Sequence, residues 1–72
     1  MERNTAESLM ASLHALNMGI NETMSGIEQI TDEAEKKIFR RAIASMPGEV
    51  FTDLMLPIIR QYPEFDPDRN IV

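Results

Sequence analysis

Residues 15–27 read "ALNMGINETMSGI", and the fold depends on whether this stretch is a turn between two short helices or the interior of one long one. Across this stretch and on both sides of it, residues recur at alternating steps of three and four: Ala6, Leu9, Leu13, Leu16, Ile20, Thr23, Ile27 and Ile30. Thr23 is the one polar member. This is the spacing of a heptad a/d row. The positions between carry Glu7, His14, Asn21, Glu22, Glu28 and Gln29, as a solvated face does. The row predicts one helix over about 5–29, roughly 37 Å long at 1.5 Å per residue. Asn4 is its expected N-cap, with Glu7 in capping-box spacing.

Inside the stretch, Ala15 to Asn21 resembles the turn of helix-turn-helix proteins related to the factor for inversion stimulation, carried by Ala15, Met18, Gly19 and Ile20. The resemblance implies a following helix that reads DNA and buries residues five or six and about nine positions past the glycine. Those places hold Met24, Ser25 and Glu28, so the apolar pair is out of step. Between Arg3 and Lys36 there is no Lys or Arg, and the reading helix would present Glu22 and Glu28 to phosphates. Basic groups supply most non-specific affinity for DNA, and Arg is the commonest base reader. The charge pattern therefore favours one packing helix. Ser12, Gly19 and Gly26 then line one flank of the row, and Met10 and Met24 the other. Each internal glycine costs about 1 kcal/mol against alanine, which a close helix–helix approach would offset. Methionines fill irregular gaps.

The row cannot continue, because the next heptad places Lys37 and Arg41 on it. The chain must turn near Ile30, and "TDEAE" (31–35) supplies a new start. Thr31 or Asp32 is the N-cap, with acids at the positive end of the helix. So short a connection favours an antiparallel neighbour. The second helix carries Ile38, Phe39, Ala42, Ile43 and Met46, meets "MPGE" (46–49), and resumes the same phase in Val50, Phe51, Leu54, Met55, Ile58 and Ile59. One helix over about 32–61, kinked at Pro47–Gly48, is expected, with a full break there as the competing reading. Pro57 predicts a second bend.

The end, "YPEFDPDRNIV" (62–72), has no periodicity. Tyr62 and Phe65 are expected to fold back as apolar anchors, and the last residues to fray. The predicted organisation is all-α: a helical hairpin domain over 1–62 and a tail over 63–72 packed on it. A 72-residue chain buries little core alone. It has no Cys and one His, so disulfides, thiolate zinc and histidine metal sites are not expected, nor is any cofactor. Self-association is the remaining remedy. The hairpin is expected to dimerise into a four-helix bundle through Leu9, Leu13, Leu16, Gly19, Ile20 and Ile27.

The net charge of −5 argues against general affinity for nucleic acid or anionic membranes. The start, "MERNTAESLM", shows no secretory h-region, and no apolar run approaches the roughly 20 residues of a membrane span. A cytoplasmic protein without membrane contact is expected. Lys36, Lys37, Arg40 and Arg41 form the densest charge cluster. They are read first as a solvated face tied by Asp32–Lys36 and Glu33–Lys37 pairs, and second as a docking patch for an acidic partner. "DPDRN" (66–70) imitates a calcium loop, but Ile71 stands where its glycine belongs.

No Ser–His–Asp arrangement or carboxylate pair follows from spacing. The expected function is a small non-enzymatic interaction protein: an adaptor, regulator or inhibitor of a protein partner, and itself homodimeric. One alternative is a nucleic-acid regulator using the basic row. A further one is a helical enzyme with a site between subunits, where Arg40, Arg41 or Arg60 holds an anionic substrate.

Overall fold

The computed structural model describes residues 1–66, which are all-helical with no strand among them. Helix α1 runs Arg3–Ile27 without interruption, so "ALNMGINETMSGI" is helix interior and holds no turn. The helix starts two residues earlier than its pattern suggests. Glu2 takes the N-cap place without a side-chain cap bond, and Asn4 lies inside the first turn, so the expected capping box is not formed.

The chain leaves α1 through Glu28 to Asp32. Asp32 is the N-cap of α2 (Glu33–Ile43), and its carboxylate accepts from the backbone N–H of Ala34 at 3.0 Å and Glu35 at 3.4 Å. Glu33 and Glu35 occupy the positive end of this helix, and Arg40 and Arg41 its negative end.

Beyond α2 the backbone stays helical while its hydrogen-bond ladder changes twice, each time at a proline. Ala44 and Ser45 keep right-handed helical angles, and the short helix α3 (Met46–Glu49) begins with Pro47 in its first turn. Proline has no N–H to extend the ladder but is tolerated at such a position. The interruption therefore lies at Ala44–Ser45, ahead of Pro47. Val50–Met55 then widens into a π-helix, closed by the Leu56 N–H donating to the Phe51 carbonyl, and α4 follows over Leu56–Gln61. A proline ring at 57 would clash with the carbonyl four residues back in a regular helix. The wider winding just ahead of it accommodates the ring.

Helix α1 packs against α2, α3 and the π-helix. Its contributions to the core are Ala6, Met10, Leu13, Ile20 and Ile27, with Met24 half-buried. Opposite stand Ile43, Val50, Met55, Ile58 and Ile59. The buried row of α1 thus steps 6, 10, 13, 17, 20, 24, 27. It keeps Ala6, Leu13, Ile20 and Ile27 of the expected row, and replaces Leu9, Leu16 and Thr23 by Met10, Asn17 and Met24. Asn17 is half-buried, and its Oδ1 is shut from solvent with no hydrogen-bond partner.

A 3₁₀ turn, Pro63–Phe65, follows α4. Tyr62 and Phe65 pack against the core as half-buried anchors, with ring centroids 5.8 Å apart. The Tyr62 hydroxyl donates to the Met1 carbonyl at 2.7 Å. Arg3 pairs with Glu64 and lies over the Phe65 ring, 5.2 Å from its centroid. Most of "DPDRN" and of the tail's expected frayed end lie outside the described residues.

Core and seam make opposite predictions. Ile58, 3% exposed, should cost about 2–5 kcal/mol when truncated to Ala. Asn17→Leu removes an unpaired buried oxygen and should raise stability by about 1–3 kcal/mol. Urea unfolding of both variants beside the wild type checks the signs.

Candidate interaction face

Several large apolar side chains stay outside the core. Leu9, Leu16, Phe39, Met46 and Leu54 are each between 42% and 48% exposed. All but Leu9 line two adjoining clefts. One cleft of about 480 Å³ is lined by Leu16, Ile20, Met46, Val50 and Leu54, together with Glu49 and Asp53. A second, of about 340 Å³, joins Ile20, Thr23 and Ile27 to Phe39, Ile43 and Met46. Ile20 and Met46 belong to both, so the clefts form one groove. Its floor is the outer edge of the core, Ile20, Ile27, Ile43 and Val50. Its walls are Leu16 and Thr23 on α1, and Phe39, Met46 and Leu54 on the other side. Thr23 donates its hydroxyl to the Gly19 carbonyl at 2.8 Å, which leaves its methyl as the group presented.

Leu13, Ile20 and Ile27, three of the six residues expected at a dimer interface, are buried against the same chain. Leu9, Leu16 and Gly19 remain exposed. A Cβ placed on Gly19 or Gly26 meets nothing within 4 Å, and neither glycine has a positive φ. Neither packing within the chain nor backbone conformation calls for these glycines.

The basic residues separate into two rows. Arg40 reaches Glu28 just past the end of α1, its Nε and Nη2 donating to Oε1 at 3.0 and 2.8 Å and its Nη2 to Oε2 at 2.5 Å. These hydrogen bonds hold the Glu28 carboxyl below its usual value, helped by the charges of Arg40 and Lys36 and opposed by partial desolvation. The same contact raises Arg40 above the ordinary guanidinium value. Lys36 pairs with Glu33 at 3.6 Å. The expected Asp32–Lys36 and Glu33–Lys37 pairs are absent: Asp32 is engaged as a cap, and Glu33 turns to Lys36. Lys37 and Arg41 border a separate shallow cleft with Ala34, Ile38 and Ala42 and make no ion pair among the described residues. Ile38, between them, is 69% exposed.

Sequence reasoning missed Met10, Asn17 and Met24 as core-facing and Leu9 and Leu16 as outward-facing. The usable signal was the unbroken second row 10, 17, 24 beside the first. By length and composition, Glu33–Gln61 would suffice to cross a membrane, with mean hydropathy 1.3 over 18 residues. Glu49 and Asp53 within that stretch weigh against this, since an acid at a span's centre costs about 2.5–3.5 kcal/mol. Among the described residues no group of three or more His, Cys, Asp or Glu could hold a metal ion. No family model, curated protein or solved structure matches this chain.

The Glu28–Arg40 contact gives a signed pH dependence. A carboxylate with a lowered folded pKa contributes stability that is complete above the unfolded value, about 4.3, and is lost as pH falls through the folded value. Glu28→Gln should therefore melt below wild type at pH 7, and the gap should narrow as pH falls below the ordinary glutamate value of about 4.3, where the carboxylate becomes protonated. Being exposed, the pair should give a small gap. Thermal melts of both chains through a series of pH values from 7 downward measure it.

Proposed function

We propose that this is a small non-enzymatic interaction protein that works as a homodimer, an antiparallel helical hairpin pairing with a second copy into a four-helix bundle. The groove carries the reading. Domains are built from at least two packed layers around a core. This molecule measures 46 × 26 × 17 Å, and its smallest extent leaves little beyond the 10–12 Å of one helix with its side chains.

The hairpin is supported at both ends. Arg40 meets Glu28 at one, and Tyr62 meets Met1 at the other. The surface supports a second layer: Leu9, Leu16, Phe39, Met46 and Leu54 are each between 42% and 48% exposed, apolar side chain that the hairpin alone does not cover. In this reading the protein is water-soluble, and the span-length stretch Glu33–Gln61 is a bundle helix with its apolar sides covered.

Sedimentation equilibrium at micromolar concentration should give about twice the 8.2 kDa chain mass. Leu16→Lys combined with Phe39→Lys should return it to the monomer mass. A wild-type chain that is folded and monomeric there overturns the proposal.

The pair Lys37 and Arg41, flanking exposed Ile38, favours an acidic protein as the further partner over nucleic acid. Both cations are uncommitted, yet they are too few for a phosphate track on an acidic chain. Replacing Lys37 and Arg41 by Glu should leave thermal stability nearly unchanged. Wild-type binding to a random DNA duplex should be undetectable near physiological salt. Micromolar duplex affinity that disappears in the double variant would reverse this ranking.

A further inference from the structure

Resting on the homodimer reading, we infer that the two copies pair through α1 running antiparallel, Leu16 of each seated on the partner's Gly19 and Leu9 on the partner's Gly26. Helix α1 bears a second heptad row beside the buried one: Leu9, Ser12, Leu16, Gly19, Thr23 and Gly26, stepping three and four throughout. All six are exposed and none is charged, whereas an outer helix face is ordinarily charged. At 3.6 residues per turn the two rows lie about 100° apart around the helix. A helix in a square four-helix bundle has two neighbours at about that angle. One row is occupied by the rest of the same chain. The other is open.

The order of residue sizes selects the orientation. Folding the row back on itself about a two-fold axis between Leu16 and Gly19 sets Leu16 opposite Gly19, Ser12 opposite Thr23, and Leu9 opposite Gly26. Every large residue then meets a small one, the alternation that lets facing rows interdigitate. A parallel pairing sets each residue against itself, with leucines colliding and glycines facing gaps. The glycines, which nothing within the chain requires, are the places where a partner's leucine fits. An isologous contact of this kind closes as a dimer, and it leaves the groove of each copy facing the other.

The chain has no cysteine, so engineered thiols report the arrangement directly. Residues 12 and 23 of one helix are about 16 Å apart along its axis, too far to bridge within a chain. Ser12→Cys mixed with Thr23→Cys, unfolded together, refolded and mildly oxidised, should give a covalent mixed dimer on a non-reducing gel, and neither variant alone should. The reduced variants should still sediment as dimers. Self-bridging by Ser12→Cys alone overturns the antiparallel arrangement and leaves the homodimer standing. Dimers that form no bridge in any combination overturn the use of this row. Monomers of wild-type chain overturn the homodimer reading itself.

Discussion

The contact between the α1 row Ala6–Ile27 and the apolar residues of the second helical stretch is the constraint on which the rest depends. Among the described residues it is the only place where large side chains are buried together, and even there the largest are not wholly enclosed. Once α1 turns that row inward, its neighbouring residues are fixed in direction. Leu9, Leu16 and Thr23 are left at the edge, and the groove floor is the outer rim of the same contact. The exposed face and the core are two consequences of one rotation of one helix.

That rotation is also where sequence reasoning reached its limit. The existence of α1, its passage through Gly19 and Gly26, the turn before Asp32 and the anchoring by Tyr62 and Phe65 were legible, because each has a local signal: an unbroken period, a missing base, a cap, an aromatic among prolines. The choice between Leu9–Leu16 and Met10–Met24 had none. Both rows share Leu13, Ile20 and Ile27, and leucine and methionine bury about equally well. The choice appears only in the packing, where Met10 and Met24 rather than Leu9 and Leu16 join Ile43, Val50, Met55, Ile58 and Ile59. The Asp32 cap formed as expected, while the Asn4 cap is lost because α1 begins two residues earlier. The Asp32–Lys36 and Glu33–Lys37 pairs give way to the Asp32 cap and the Glu33–Lys36 contact, since an exposed pair differs from its alternative by only a few tenths of a kcal/mol.

The candidate face was half visible. The sequence points to Gly19 and Leu16 as interface residues, and places Phe39, Met46 and Leu54 on the apolar phase of the second helix without separating rim from centre. A residue on the rim of a core and a residue at its centre look the same in sequence; only the count of layers separates them. The basic cluster dissolved in a similar way. Four cations close in sequence divide between the contact with Glu28, the pair with Glu33 and an uncommitted couple around Ile38, because a helix sends neighbouring residues in different directions.

The π winding over Val50–Met55 has a consequence for how this chain can change length. A π turn holds one residue more than the α turn it replaces, while the helix on either side keeps its direction. Loss of a single residue from this segment, with Pro57 replaced by a residue that a regular helix accepts, would let it relax to ordinary α winding, with Val50 at its start and Ile58 and Ile59 downstream still aimed at α1. The same loss anywhere in α1 would rotate everything beyond it by about 100° and carry its core residues to the surface. The two halves of the molecule therefore differ in their tolerance of insertion and deletion, and the second half is the one with slack.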